Sequence, residues 1–339
     1  MRNLVLCLDG TWNRADALHP TNVVLTMRAA ARCALSGRPP RSVFHRGQVI
    51  YYDAGVGTGR WDRVRGGAFG MGLGDNVKQA YRWLCQNWRP NDRIFVFGYS
   101  RGAYTARSLA GLIGRCGIQE PRNAQAAIDA HCGNDTEAAV RLSNEARTIY
   151  VDFLGVWDTV GSLGVPIDGL RWMGAWRHRW HDVSIGEHVR RACHLVAIDE
   201  ARGPFQPALW TGPVAPNQVV EQVWFPGVHG DVGGGRPDPN LSGRALLFMW
   251  DRAESAGLEL DRAVAPEVAS IRQCRPGNSL VGPYRFLKKH RRLLNTGATN
   301  EAIHESAVQL VAESPEYRRG PSAAGIIEAL DGGLSVVHA

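Results

Sequence analysis

The stretch IFVFGYSRGAYTARSLAGLIGR, residues 94–115, decides how this chain folds. Its short apolar start predicts a buried strand, and its Ala- and Leu-rich end predicts a helix. Between the two lies G-x-S-x-G, with Ser100 at its centre, a pattern typical of a sharp turn that presents a nucleophile. The flanking glycines permit such a turn, and the start of the helix places partial positive charge behind Ser100. A glycine-containing turn without chemistry is the alternative, and the strand and helix on either side favour the nucleophile.

The rest of the chain alternates predicted strands with predicted helices. Strands are expected at residues 4–8, 49–52, 94–97, 149–157 and 219–225, and helices at 22–35, 76–88, 103–113, 123–147, 187–198 and 241–256. This alternation predicts an α/β fold, a mostly parallel sheet flanked by helices. We expect a single domain over residues 1–339, with a candidate helical lid or insertion around residues 165–200.

Polar residues follow the ends of several predicted strands, where active sites of parallel sheets form. Ser100, Asp158 and His229 stand in the chain order Ser…Asp…His of α/β-hydrolases. In that arrangement His229 takes the proton of Ser100, and Asp158 orients the imidazole and stabilises its charged form. The three residues therefore predict a catalytic triad.

Each of these assignments has an alternative. Asp158 is also suited to capping a helix or forming a turn before Thr159. Asp231, two residues after His229, is the rival for the triad acid, or it closes a turn with the glycines that follow it. His229 itself lies in a glycine-rich stretch, where a histidine is often only a turn residue.

An oxyanion hole needs backbone N–H groups beside the nucleophile. The residue after Ser100, Arg101, supplies one such group, and Gly10 with Thr11 supplies the natural second donor at the end of the first strand. The alternative for Asp9-Gly10 is a purely structural turn. Asp9 is thus a secondary candidate for the site.

Three tryptophans, Trp172, Trp176 and Trp180, recur every four residues among arginines and histidines. On a helix they form one stripe, a spacing typical of segments that lie on a membrane surface. They follow Asp158 where lipases insert lids, so they predict a lid that contacts apolar substrate chains. A buried aromatic stripe is the commoner explanation of such spacing.

Composition narrows the function further. The net charge of +7 suits an anionic partner, although a solvated arginine surface explains it equally well. The seven cysteines include no C-x-x-C pair, which argues against a disulfide framework or zinc ribbon. No apolar stretch has the length of a bilayer or of a signal peptide, so we expect synthesis in the cytoplasm and export, if any, by a non-classical route. No metal, cofactor or nucleic-acid module is expected.

Six motifs then resemble those of one family and stand in the same order. They are LCLDGTWN, YYDAGVGTG, FVFGYSRGAYTARSLAGLI, FLGVWDTVGSLGVP, FPGVHGDVGGG and IHESAVQL, and they run from residue 6 to residue 310. Together they look like an α/β-hydrolase family long catalogued as a domain of unknown function. Its studied members include the catalytic domains of type VI secretion lipase effectors.

The resemblance implies a phospholipase with Ser100 as nucleophile, Asp158 as acid and His229 as base. His304, in IHESAVQL, also lies in a motif of the family, and we favour a packing role for it over one that braces the site. The substrate class implied is a phospholipid or a related acyl ester, with contact to a membrane surface. A small-molecule esterase or thioesterase, and an inert module that binds a membrane or a partner, are the alternatives. Headgroup, acyl position, oligomeric state and immunity partners are not specified by the sequence.

Overall fold

The first strand, β1 (Asn3–Leu8), shows why this chain forms a covered sheet. In the computed structural model, which describes residues 1–10, 13–31, 42–45, 47–55, 71–146, 149–160, 184–286 and 289–338, its side chains are buried on both faces. Leu4, Leu6 and Leu8 pack into one hydrophobic cluster, whereas Val5 and Cys7 pack into another. An uninterrupted apolar run of this kind is typical of a parallel strand with helices on both sides.

Eight more strands follow in the described parts of the chain. They are β2 (Ser42–His45), β3 (Gln48–Asp53), β4 (Arg93–Tyr99), β5 (Phe153–Trp157), β6 (Arg191–Ala197), β7 (Val219–Phe225), β8 (Glu301–His304) and β9 (Ser335–Val337). They form one sheet in the order β2-β3-β1-β4-β5-β6-β7-β8-β9. The β2–β3 pair is antiparallel, and the other neighbours are parallel.

Helices cover both faces of this sheet. They are α1 (Asn22–Ala31), α2 (Met71–Asn87), α3 (Arg101–Cys116), α4 (Ala124–Cys132), α5 (Thr136–Glu145), α6 (His229–Gly233), α7 (Asn240–Ser255), α8 (Glu305–Glu313), α9 (Pro315–Arg318) and α10 (Pro321–Asp331). Helices α2 to α5 pack on one face, and α1 and α7 pack on the other. Near β8, α8 and α10 add a smaller cluster. The predicted mostly parallel α/β architecture is confirmed.

Strand order also indicates where a site should form. From β1 the chain passes to β3 on one side and then, through α2, to β4 on the other side. The direction of winding therefore reverses between β1 and β4, and ligands of open parallel sheets bind at the carboxyl ends of strands beside such a reversal. Asp9 and Gly10 follow β1, and Ser100 follows β4.

Several predicted elements were wrong. Residues 187–198, predicted as helical, contain β6, which pairs in parallel with β5 and β7. A short apolar run that is buried on both sides has no strand period, so its pattern resembles a buried helix. The short strands β2, β8 and β9 and the helices α6, α8, α9 and α10 were not predicted, and α2 begins at Met71, before the predicted start at residue 76.

Much of the candidate lid lies outside the described residues. Trp172, Trp176 and Trp180 lie outside the described residues, as does Thr11. The described end of the 165–200 segment contains β6 rather than a helical insertion. Within the described residues no helix combines the length and apolar character needed to cross a membrane.

Candidate active site

The turn at Ser100 joins β4 to α3 without any intervening loop. Ser100 has φ 57° and ψ −120°, a conformation that a residue with a side chain adopts only at a cost of about 1–3 kcal/mol. Its backbone N–H donates to the carbonyl of Trp157 at 3.0 Å, which extends the pairing of β4 with β5 past the end of the strand. The hydroxyl does not cap the helix. The strained turn therefore holds the Ser100 side chain at the edge of the sheet.

Two glycines make this turn sterically possible. A Cβ on Gly98 would lie 2.4 Å from the carbonyl oxygen of Gly102, and a Cβ on Gly102 would lie 2.1 Å from the carbonyl oxygen of Leu8. Real Cβ atoms do not approach backbone atoms so closely. The helix α3 thus packs directly against the ends of β1 and β4 because both positions lack a side chain.

Asp158 follows β5 and is completely buried. Its Oδ2 lies 2.6 Å from Nδ1 of His229, and its Oδ1 accepts the backbone N–H of Ala197 at 3.0 Å. It also has a positive φ of 40°, uncommon for a residue with a side chain. The carboxylate that contacts the imidazole is therefore that of Asp158.

A third side chain, unforeseen in the sequence, completes this cluster. Arg292 is buried and forms a two-pronged ion pair with Asp158, Nη1 to Oδ1 at 2.5 Å and Nη2 to Oδ2 at 3.1 Å. The same guanidinium donates to the carbonyls of Ala197, at 2.7 Å, and of Phe205. Burial alone raises the pKa of Asp158, but the charge of Arg292 and the hydrogen bond with His229 outweigh burial and hold this pKa below its ordinary value.

His229 is the first residue of α6, and its ring is held on both sides. Tyr99 lies 4.7 Å away between ring centroids, and Phe205 meets the imidazole edge-on at 5.2 Å. The Tyr99 hydroxyl donates to the His229 carbonyl at 3.2 Å, and the His229 N–H donates to Glu200 at 3.3 Å. An ionised Asp158 accepts a hydrogen bond from Nδ1–H, so a neutral imidazole presents Nε2 as its basic nitrogen.

The negative charge of Glu200 is balanced by Arg202. Arg202 donates to both of its carboxylate oxygens at 2.8 Å. Burial opposes the ionisation of Glu200, but Arg202 lowers its pKa below the ordinary value. The base side of the site therefore contains two buried acid–arginine pairs, Glu200–Arg202 and Asp158–Arg292.

Asp231 is engaged elsewhere. Its carboxylate accepts the N–H of Val228 at 3.0 Å and that of Gly277 at 2.7 Å, and it pairs with Arg236 at 2.8 Å. These bonds fix the start of α6 and tie it to the loop at Gly277. Asp231 thus holds a turn, but through Val228 and Gly277 and not through the glycines that follow it, as the alternative had it.

On the oxyanion side, the backbone N–H of Gly10 is not placed as the sequence predicted. The N–H of Gly10 donates to Oδ1 of its neighbour Asp9 at 2.7 Å, so a carboxylate already occupies that donor. Gly10 still lies against the nucleophile, since a Cβ built on it would come 3.3 Å from Cβ of Ser100. Arg101 opens α3, at a position whose N–H has no acceptor within the helix.

Asp9 acts as the anchor of the turn after β1. Besides the Gly10 N–H, it accepts hydrogen bonds from Asn13, Thr21 and Tyr52, at 3.1, 2.8 and 3.1 Å. Burial raises its pKa to about 6, although these four donors oppose the shift. Asp9 thus fixes the backbone that faces Ser100.

His304 ends β8 and caps α8, where its Nδ1 accepts the N–H of Ser306 at 3.2 Å. Its ring stacks on Phe225 with centroids 4.2 Å apart. Burial lowers its pKa to about 4. These are the contacts of a packed histidine, the role that the sequence favoured.

Beside the base side lies an open cleft of about 840 Å³. Glu200, next to His229, forms part of one wall, and the cleft is also lined by the basic side chains of Arg275, Lys289 and Arg291. Acidic side chains line it too, those of Asp199, Glu200 and Glu316, whereas Ser100, Asp158 and His229 are not among its lining residues.

The chain is similar to several known proteins. Residues 2–252 match the family described as the catalytic domain of the Tle1-like phospholipase effectors of type VI secretion. An uncharacterised protein of Saccharomyces cerevisiae is 27% identical over 62% of this chain and 33% of its own length. An uncharacterised Pseudomonas aeruginosa protein of known structure shows 20% identity over 77% of this chain and 47% of its own, with a TM-score of 0.49.

The Tle1 effector, solved bound to the VgrG spike of the type VI secretion system, shows 14% identity over 80% of this chain and 77% of its own, also with a TM-score of 0.49. The chain thus spans about a third of the length of the yeast relative and about half that of the Pseudomonas protein. Because the family match covers residues 2–252 of the 339, the chain belongs to the Tle1-like phospholipase effector family, through the catalytic domain of that family.

Proposed function

We propose that this protein is a serine hydrolase that cleaves carboxylic esters through an acyl-Ser100 intermediate, and that its substrates are phospholipids. Membership in the Tle1-like family makes it a hydrolase of the lipase and esterase class. The observation that carries the mechanism is the 2.6 Å contact between Asp158 and Nδ1 of His229, at the sheet edge where the strained turn presents Ser100.

The reaction divides into two halves. His229 accepts the hydroxyl proton of Ser100 at Nε2 while Oγ attacks the ester carbonyl carbon, and Asp158 stabilises the imidazolium. The tetrahedral intermediate places its oxyanion at the start of α3, toward the N–H of Arg101. Its collapse sends the proton from His229 to the departing alcohol oxygen and leaves acyl-Ser100. Water then attacks the acyl carbon, with His229 as base, and releases the carboxylic acid and free Ser100.

Gly10 and Thr11 are the sequence-based candidates for a second oxyanion donor. Because Asp9 occupies the Gly10 N–H, that donor serves only if the bond to Asp9 gives way. Thr11, the other candidate, lies outside the described residues. The N–H of Arg101 is therefore the donor to which we assign this role.

A phospholipid substrate has support beyond the family. Arg275, Lys289 and Arg291 line the cleft beside Glu200 and can bind a phosphate diester, although Arg275 also pairs with Glu316 and Arg291 with Glu328. The cleft volume of about 840 Å³ is within the range of sites for ligands of drug size.

The first experiment is labelling with a fluorophosphonate, which phosphonylates only an activated serine. We expect one adduct, located on Ser100 by mass, which is absent from Ser100→Ala and His229→Ala. Ser108→Ala serves as the matched control because Ser108 is a buried serine on α3, the helix that follows Ser100. Wild-type protein that is folded yet stays unlabelled, in buffer and in detergent micelles, would contradict the mechanism.

A panel of substrates then tests the substrate class. It comprises phosphatidylglycerol and phosphatidylcholine vesicles, p-nitrophenyl butyrate and a long-chain acyl-CoA. We expect the highest kcat/KM on the phospholipids, with loss of that activity in Ser100→Ala. Turnover of the butyrate ester or the thioester without release of fatty acid from vesicles would instead identify a small-molecule esterase or thioesterase. Vesicle binding without any turnover, unchanged in Ser100→Ala, would identify an inert membrane-binding module.

A further inference from the structure

The ion pair between Arg292 and Asp158 takes no direct part in the acyl-transfer steps. Both side chains are essentially inaccessible, and the guanidinium binds both carboxylate oxygens while one of those oxygens also contacts His229. Arg292 lies outside the segment that matches the family, residues 2–252. A residue distant in the sequence therefore sets the electrostatic environment of the triad acid.

The charge of the buried cluster explains why an arginine is needed. With a neutral imidazole, Arg292, Asp158 and His229 sum to zero charge. Without the guanidinium, the same cluster carries one buried negative charge, which is costly in the low-dielectric interior of a protein. Uptake of one proton relieves that cost, either on the imidazole or on the carboxylate. A proton on the imidazole removes the base, and a proton on Asp158 removes the acceptor that orients it.

The other ionisable groups around the cluster do not supply this balance among the described residues. Glu200 and Arg202 neutralise each other, and Asp231 pairs with Arg236. Burial raises the pKa of Tyr99 far above its ordinary value and lowers that of His194 to about 3, so both stay uncharged near neutral pH. Arg292 is the cation that balances Asp158.

We infer that Arg292 is a positioning residue of the hydrolase, whose charge keeps Asp158 ionised and the His229 imidazole unprotonated, so that the base works at neutral and mildly acidic pH. The inference rests on the proposed function for its catalytic consequence. The ion pair itself is independent of that function and has its own measurable effect on stability.

The test compares Arg292→Lys, which keeps the charge, with Arg292→Gln, which keeps hydrogen-bond donors and removes the charge. The rate of fluorophosphonate inactivation is measured from pH 5 to pH 9. For Arg292→Gln we expect the acid limb of the profile to move up by about 1–3 pH units, the usual effect of a neighbouring charge. The rate at pH 6 should then fall by about 10-fold or more, with recovery at high pH.

Arg292→Lys should keep the midpoint closer to that of the wild type, with a lower plateau because lysine lacks the planar fork. Arg262→Met is the control, since Arg262 pairs with Asp251 and Glu254 on the exposed end of α7. Its profile should superimpose on that of the wild type. If Arg292→Gln is folded and its profile is the wild-type profile scaled by a constant factor, the inference is wrong and Arg292 has only a structural role.

Thermal melting of the double variant Asp158→Asn/Arg292→Gln tests the inference even if Arg292→Gln does not fold or the protein is not labelled. It removes both charges together, so it should melt above Arg292→Gln alone, and it should fold even where the single variant does not. A double variant that is no more stable than Arg292→Gln would overturn the inference. If the wild type stays unlabelled at every pH, the proposed function fails, while this melting comparison still decides whether Arg292 balances Asp158.

Discussion

The two halves of the candidate site are built in different ways. The nucleophile half is one continuous segment, β4, Ser100 and α3, whose shape depends on glycines and on a strained backbone. The base half joins Asp158, His229 and Arg292, the first and last of which are separated by 134 residues in the sequence. One half therefore depends on local backbone geometry, whereas the other depends on the balance of buried charges.

This difference determines how each half should fail. A change in the nucleophile half meets rigid backbone, so its cost is steric and independent of pH. A change in the base half alters protonation, so its cost varies with pH. Substitutions on the two sides can therefore be recognised by the form of the loss as well as by its size.

The largest effect is expected from Asp158→Asn. A neutral amide cannot replace the charged carboxylate that accepts the hydrogen bond from Nδ1–H and stabilises the imidazolium. We therefore expect ester hydrolysis to fall by about 10³–10⁴-fold. The variant also leaves Arg292 buried without its partner, which costs about 3–5 kcal/mol of unfolding free energy. Steady-state kinetics and denaturant unfolding of the same preparation measure the two losses.

Asp231→Asn is the comparison for this variant, because Asp231 was the rival acid. It removes the ion pair with Arg236 and weakens the turn before α6, so it should lower stability by about 1–3 kcal/mol, with a much smaller loss of activity than Asp158→Asn. A larger loss of activity in Asp231→Asn than in Asp158→Asn would identify Asp231 as the triad acid, against the observed contact between Asp158 and His229.

The next effect, on the nucleophile side, is that of Gly102→Ala. The new Cβ would lie 2.1 Å from the Leu8 carbonyl oxygen, so α3 must move away from β1. We expect a loss of about 1–3 kcal/mol of unfolding free energy or more, with the same loss at pH 6 and pH 8. The displacement also moves Ser100, so the rate of labelling should fall in parallel.

Gly111→Ala is the matched control on the same helix. Among the described residues, no atom outside the helix's own nearby backbone lies within 4 Å of the position that a Cβ on Gly111 would take, and alanine is favoured over glycine within a helix by about 0.5–1 kcal/mol. Gly111→Ala should therefore be slightly more stable than the wild type. Equal destabilisation by both substitutions would mean that the helix, and not its contact with β1, limits stability.

The contrast also explains how much the sequence could predict. The turn at Ser100 was predictable because the strand, the glycines and the helix lie within one short segment. Asp158 and His229 were predictable as residues at strand ends, since the carboxyl ends of parallel strands meet at one edge. The sequence was less reliable for β6, because a doubly covered strand lacks any alternation of polar and apolar residues.

Other contacts had no signal in the sequence. Arg292 lies in the run KKHRRLLN, and nothing in that composition distinguishes Arg292, which is buried, from Lys289 and Arg291, which are exposed. The bond from the Gly10 N–H to Asp9 depends on how a side chain folds back on its own turn. Long-range charge pairing and local side-chain geometry are decided by tertiary packing, which a single sequence does not show.

The smallest effect concerns the next strand end beyond the site, at His304. Burial lowers its pKa to about 4, from an ordinary value near 6.5, so the unfolded chain binds a proton more readily than the folded protein does. The stability due to the neutral ring is present above pH 6.5 and is lost as the pH falls toward 4, by at most about 3 kcal/mol. Denaturant unfolding between pH 7 and pH 4 measures this loss.

His304→Asn should reduce the loss, because asparagine also caps helices but does not titrate. The variant is less stable than the wild type at pH 7, since the stacking on Phe225 is lost, and the two curves converge toward pH 4. The remaining slope of the variant includes contributions from His194 and His131, whose pKa values burial also lowers, to about 3 and about 4, and from carboxyl groups with shifted pKa values, such as Glu200. Parallel curves for wild type and variant would mean that His304 does not contribute to the acid sensitivity of the folded protein.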